Sequence, residues 1–357
     1  MGIGQLAAAA LARSYRRVNK RFGRRSGARP SRDYEVRPLE QSEFGRWDEF
    51  VRHSPQGTLF HSTLWLQASC AQFRLFGCFR GGELRGGFAA GVASRRSAGH
   101  PHPALTPYLG LLLPKSEGKY VASLSANKGI SAAFAAYLKD EFDSVEFRCP
   151  PEIVDLQPFI WAGFQAGLRY TYRLPVVDPD AALKSMDKSR RRDIANAERS
   201  GVRVEESADF SLIIQLSEKT FRRRGLELGL RDAAFRFQET LHKAGRCQGF
   251  VARDRSGQPL AGVWIAWDDK RAYGLISGYD DAAESTNAVS LALWRSIEYT
   301  GGELKLPEFD FEGSMIPGIE QFFRKFGPTL MPTYTIRFQK PEGLPQRVAR
   351  RVARLAG

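Results

Sequence analysis

The sequence predicts an α/β protein built twice over, each part a mixed sheet flanked by helices. Three observations predict it. The 357 residues are too many for one small domain and suit two. Alternating apolar stretches, the pattern of strands, are interleaved with stretches of helical period throughout the body. Two segments also echo each other at matching places in each half. CFRGGELRGGFAA (78–90) resembles ARDRSGQPLAGVWIA (252–266), and FIWAGFQAGLRYTYRL (159–174) resembles FFRKFGPTLMPTYTIRF (322–338). Such self-similarity reads as a duplicated unit.

The first half opens with a strand at 34–39 and a helix at 43–53. A hairpin follows, 74–80 and 84–94, turning at Gly81-Gly82. After a loop rich in Pro and His come a helix (130–142), a strand (144–149), a helix (156–167) and a strand (169–176). The second half begins after Pro175 with a basic helix (186–200) that Gly201 can cap. Then come a strand (202–206), two helices (211–225 and 233–245) and a three-strand meander within 247–280. A helix (287–300), a strand (308–314), a helix (318–327) and a strand (333–340) complete it. The expected organisation is a basic arm and linker over 1–33, units over 34–174 and 175–340, and a basic tail over 341–357.

Charge is concentrated at the ends. Of the net +14, residues 1–33 carry +8 and residues 340–357 carry +4. Leu11, Tyr15, Val18 and Phe22 fall at helical spacing within the first arm. Anionic partners, a membrane surface or tRNA, are therefore expected at the termini. No run of about 18 apolar residues suggests a membrane span. Four scattered cysteines fit free thiols of a reducing cytoplasm, and none has zinc spacing. The expected location is cytoplasmic, at the membrane periphery if the arms bind lipid.

The most distinctive run is FDFEGSMIPGIEQFFRKFG (309–327). On a strand, Asp310 and Glu312 point to one face and Phe309 and Phe311 to the other. Phenylalanines that anchor the strand would leave two carboxylates over a cleft, where they can hold or deprotonate an amine. An ordinary solvated acidic face is the plainer alternative. Lys188, Arg190, Arg191 and Arg192 form a cluster suited to phosphate oxygens, or simply a solvated helix face. His61 is a substrate contact or a structural histidine at a turn. Thr106 and Tyr108 sit in a loop set by Pro107. No Ser-His-Asp order, nucleophile elbow or Walker loop occurs, which disfavours covalent catalysis.

FDFEGS, a helix ending in FFRKFG, and a strand carrying Tyr334 and Arg337 together resemble the C-terminal signature of FemAB-like (BioF2-like) proteins of the GNAT acyltransferase superfamily. GTLFHSTLWLQA (57–68), PALTPYLGLLLP (103–114) and SRRRDIANAERSGVRV (189–204) are similar to the earlier parts of that family, so the resemblance spans residues 44–338. It implies two tandem GNAT-like domains. It also implies direct transfer of an acyl or aminoacyl group to an amine of a cell-envelope precursor or other small or lipid-linked acceptor. The donor stays open between acyl-CoA and aminoacyl-tRNA, with no metal. Asp310 and Glu312 become the catalytic candidates. Lys188, Arg190, Arg191, Arg192, Tyr108, His61, Ser314 and Tyr334 become substrate contacts. The stretch ESTNAVSLAL (284–293) departs from the usual glycine-rich pyrophosphate loop, leaving Ser285, Thr286 and Asn287 as donor contacts that also suit a helix cap. Two non-enzymatic readings remain: an RNA-binding protein using its arms, and a peripheral partner of polysaccharide synthesis.

Overall fold

The computed structural model describes residues 33–341 apart from 71, 95, 100, 101, 224, 226, 231–234 and 281–285. The expected amphipathic arm and the basic tail lie outside the described residues. No described helix is long and apolar enough to cross a membrane.

The strands of the first half are β1 (Glu35–Pro38), β2 (Phe73–Arg80), β3 (Glu83–Ser94), β4 (Ser97–Ala98), β5 (Leu111–Leu112), β6 (Ser144–Cys149) and β7 (Gln165–Pro175). Its helices are α1 (Phe44–His53), α2 (Thr63–Ser69), α3 (Tyr120–Glu141) and α4 (Gln157–Trp161). The second half contributes α5 (Pro179–Ser185), α6 (Lys188–Arg199), β8 (Arg203–Ser207), α7 (Phe210–Arg223), β9 (Cys247–Arg253), β10 (Pro259–Trp267) and β11 (Ala272–Tyr279). It ends with α8 (Ala288–Gly302), β12 (Glu308–Asp310), α9 (Pro317–Arg324) and β13 (Thr329–Gln339).

The strands form one sheet in the order β1-β2-β3-β4-β6-β13-β7-β12-β11-β10-β9-β8, with β5 attached to β3. Read from either end, the pairings are the same. Three antiparallel steps are followed by a parallel one, β4 with β6 on one side and β11 with β12 on the other. The centre is an exchange. β13, from the second half, lies between β6 and β7, and β7, from the first half, lies between β13 and β12. Arg337 faces Glu146 across β13 and β6, while Arg173 faces Asp310 across β7 and β12. The two registers therefore agree on a constant offset of 164 residues, 146 to 310 and 173 to 337. The duplication anticipated from sequence is a pseudo-two-fold with its axis between β7 and β13.

Packing follows from residue spacing. Trp47 and Val51, one turn apart on α1, cover one face of β2 and β3 with Leu75 and Leu112. Ile130, Phe134 and Leu138 on α3 cover the other with Phe76, Phe88 and Phe147. In the second half Leu291, Trp294 and Ile297 of α8 and Ile194 of α6 pack on Phe250, Val263, Ile265 and Phe309. A further cluster joins the halves, with Leu59, Phe60, Trp65 and Tyr108 packed against Ile213, Phe237, Trp264 and Tyr273. Polar contacts reinforce that seam. Lys270 Nζ donates to the carbonyls of Ser54 at 2.6 Å and Gly57 at 3.0 Å, and the Leu59 amide donates to Asp268 at 2.8 Å.

Two expected elements end well short. The helix anticipated over 156–167 stops at Trp161, because Gly163 takes a φ of +90° and starts the turn into β7. The strand anticipated over 308–314 stops at Asp310, because Glu312 and Gly313 both lie in the left-handed region, at φ +58° and +62°.

Candidate active site

Phe309 and Phe311 are buried in the core, with ring centroids 5.0 Å apart; Asp310 turns the other way from Phe309 on β12, and Glu312 follows in the left-handed turn beyond the strand. Their roles then separate. Asp310 is fully buried and its carboxylate accepts four hydrogen bonds. They come from Tyr108 Oη at 3.0 Å, Thr171 Oγ1 at 2.6 Å, Arg173 Nε at 3.0 Å and the Glu312 amide at 2.8 Å. A carboxylate engaged this way has little capacity left for a substrate proton. It is an anchor. Its bond to the Glu312 amide stabilises the left-handed turn that no glycine provides at that residue.

Glu312 is the opposite case. Its Oε1 is inaccessible to solvent and has no hydrogen-bond partner among the described residues. Burial, and secondarily the Asp310 charge, push its carboxyl well above the usual carboxylate range. Gly313 beside it is required by space as well as by φ. A Cβ there would lie 2.3 Å from the Tyr170 carbonyl oxygen.

Glu312 and Gly313 line two cavities at once. The larger, about 470 Å³, is walled by β11 from Gly274 to Tyr279, the start of α8, α9 and Arg190. It opens because β11 and β12 pair only at Ala272–Phe309 and Tyr273–Asp310, beyond which the chains diverge. Leu275, Ile276, Phe311, Ile319, Phe322 and Phe323 give it an apolar lining. The smaller, about 320 Å³, lies on the first-half side and is lined by the 102–108 loop, Arg148, Arg169, Tyr170, Thr171 and Thr333.

A buried ionic cluster fixes the strands beneath. Arg173 bonds Glu152 at 2.6 Å as well as Asp310, and Arg271 meets Glu152 at 3.2 Å and Glu308 at 3.0 Å. Glu152, Arg271 and Glu308 lie in different segments, and nothing in the local pattern singled them out. Among the described residues no group of three or more His, Cys, Asp or Glu is placed to hold a metal.

Of the other expected contacts, Tyr108 reaches the site, since it lines the smaller cavity and its hydroxyl bonds Asp310. Thr106 lines the same cavity, but its hydroxyl is taken by Trp65 Nε1 at 2.9 Å. The arginine cluster is dispersed. Arg190 is buried and lines the larger cavity, stacked 4.1 Å from the Phe322 ring centroid and bonded to Ser290. Arg191 instead donates to the Lys184 and Met186 carbonyls, and Lys188 and Arg192 are exposed outside both linings. The helical period explains this, because α6 turns Arg190 inward with Ile194 and Ala197. His61 is fully buried and bonded to Thr58 Oγ1 at 2.8 Å; burial pushes its imidazole down to about 3. It lines neither cavity and sits at a short helical turn, the second of the two readings its sequence allowed. Tyr334 likewise packs on the first-half core, because it alternates to the apolar face of β13. Ser314 and Asn287 line the larger cavity. Asn287 caps α8 at φ +57° with no side-chain cap bond, while Thr286 Oγ1 accepts from the Ala288 amide at 3.3 Å. Ser285 lies outside the described residues.

Residues 184–324 match the acetyltransferase (GNAT) domain family. No curated protein matches the sequence. Among solved structures, FemX aligns with a TM-score of 0.61 at 15% identity, over 84% of this chain and 96% of FemX. A tandem GNAT protein from the clavulanic acid biosynthesis pathway aligns at 0.53 and 12% identity, over 87% of this chain and 99% of that one. A conserved protein of unknown function from Bacteroides thetaiotaomicron VPI-5482 aligns at 0.54 and 10%, over 85% and 99%. At these identities the likeness is one of fold. The matched domain marks residues 184–324 as an acyltransferase domain of the GNAT type, set within a doubled fold like that of the tandem GNAT protein. Over most of its length the chain shares the fold of FemX.

Proposed function

We propose that the protein moves an acyl or aminoacyl group from a donor in the larger cavity to an amine entering through the smaller one, with Glu312 as the base between them. The observation that carries this reading is that the two cavities share Glu312 and Gly313. A base needs a proton affinity near the working pH, and burial raises that of Glu312 in the required direction. The amine nitrogen attacks the donor carbonyl carbon, the C–S or C–O bond to the donor breaks, and the ammonium proton passes to the Glu312 carboxylate.

The unpaired edge of β11 offers backbone groups to an extended donor. Arg190 and the start of the 15-residue α8 offer positive charge to donor phosphates. Both features suit acyl-CoA, and the missing glycines of the 284–293 loop keep aminoacyl-tRNA as the competing donor. The acceptor class is the one the FemAB-like resemblance of the sequence implies, an amine on an envelope precursor or a small or lipid-linked molecule. The basic termini would bring the enzyme to an anionic membrane surface.

The test is a transfer assay on the full chain, with acetyl-CoA and an aminoacyl-tRNA offered separately against a panel of amines. The reading expects one donor to be consumed only with an amine present, and expects Glu312→Gln to abolish most of that consumption. No amine-dependent consumption of either donor, or full activity in Glu312→Gln, overturns it.

A further inference from the structure

We infer that the smaller cavity recognises an amine that also carries a compact anionic group, a carboxylate or a phosphate, gripped by Arg148 and Arg169. The inference rests on the proposed function in one respect, that this cavity takes the acceptor.

Carrying the 164-residue offset along β6 makes Arg148 the counterpart of Glu312, two residues beyond the Glu146 and Asp310 positions. The first half thus presents a guanidinium where the second presents a carboxyl, and both side chains line the same cavity. Arg148 faces Thr335 on β13, and Thr333, two residues along, faces Arg169 on β7. Directly opposed residues share a sheet face, and so do residues two apart. Arg148, Thr333 and Arg169 therefore stand together around the exchanged strand.

The charges of the lining do not cancel. Among the described residues neither guanidinium has a hydrogen bond or ion pair, and Arg148 Nε is both buried and unpartnered. The nearby Glu146 carboxylate is engaged by Arg337 at 2.8 Å. Asp310 is saturated by its four donors. His102 meets the Thr106 carbonyl through Nε2, which must therefore carry the proton, and burial holds its imidazole down to about 4, so it adds no charge at neutral pH. Burial pushes the Glu312 carboxyl up, and even when ionised it offsets only one of the two guanidiniums. Arginine keeps its charge throughout. A half-buried Arg148 guanidinium without a counterion is costly, and a bound anion offsets that cost through forked, charge-assisted bonds to which the exposed Arg169 can add. With the amine against Glu312 and the anion against Arg148, a space of about 320 Å³ requires both groups on one compact molecule or one end of a larger one.

Calorimetric titration of the full chain without donor tests this with matched probes. Lysine against cadaverine reads a carboxylate, and glucosamine 6-phosphate against glucosamine reads a phosphate. In at least one pair the anionic member is expected to bind about tenfold tighter or better. That advantage should vanish in Arg148→Gln and shrink in Arg169→Gln, with near-UV circular dichroism unchanged. The pair that shows it identifies the anion. If Arg148→Gln does not fold, the exposed Arg169→Gln carries the test alone. Equal binding within both pairs, binding of none of the four, or a preference that survives both substitutions overturns the inference. Transfer to neutral amines with no anion preference sinks the inference and leaves the proposed function standing. Anion-selective binding with no transfer from either donor does the reverse.

Discussion

Two ion pairs occupy the same place in the two halves of this protein and live in different surroundings. Arg173 meets Asp310 at 3.0 Å, with side chains 6% and 0% exposed. Arg337, its counterpart, meets Glu146 at 2.8 Å, with side chains 63% and 15% exposed. The backbone register that creates them is identical, so the difference comes from what packs above each pair. The Asp310 pair is buried beneath the first half's 102–108 loop, and Tyr108 and Thr171, also from the first half, add further donors. The first half leaves its pair at the rim. Duplication supplied one scaffold twice, and burial decided which copy anchors chemistry.

The sharpest way to break that comparison is Glu312→Gln. Loss of a general base costs roughly 10²–10⁴ in rate, measured as donor consumption with a competent amine. The same substitution should leave the melting temperature unchanged or raised at pH 8. The sign follows from the raised carboxyl. The folded state holds a proton that the unfolded chain gives up above its ordinary carboxylate range, so wild-type stability falls as pH rises from there through the folded value. Glutamine carries no such dependence, and melting curves at pH 5 and pH 8 should converge in the variant.

Asp310→Ala comes next. It strands Arg173 in the interior, and removing one partner of a buried pair costs about 3–5 kcal/mol, readable by urea denaturation. Turnover should fall with it, because the Glu312 turn loses its anchor. Glu146→Ala is the matching change in the other half. A surface pair contributes less than about 1 kcal/mol, so its denaturation midpoint should barely move. If the Glu146 and Asp310 substitutions proved equally costly, the contrast drawn from burial would fail.

Much of this was legible in residues 309–327, because alternating phenylalanines declare a buried strand face and so declare its opposite. The repeated Tyr-Thr-x-Arg was legible too, and it marks the two exchanged strands. The partition of labour between Asp310 and Glu312 was not. It depends on Tyr108 and Arg173, 202 and 137 residues away in sequence, and on a left-handed turn at a glutamate that no glycine advertises. Arg148 was invisible for a related reason. SVEFRC reads as an ordinary strand, and only the register across β13 aligns it with FDFEGS. His61 allowed two readings from sequence, a substrate contact or a structural histidine at a turn, and only its burial and its bond to Thr58 tell them apart.

The exchange of β7 and β13 has a consequence for how the chain is made. The two strands that close the sheet are 164 residues apart in the order of synthesis. Until β13 emerges from the ribosome, β6 and β7 both wait with an open hydrogen-bonding edge, and the first half is a sheet missing its central strand. Unpaired edges held open during translation invite pairing with the wrong chain. The ribosome therefore releases this protein into its final topology in one late step. A nascent chain stopped before Thr329 should engage chaperones that the finished protein does not need.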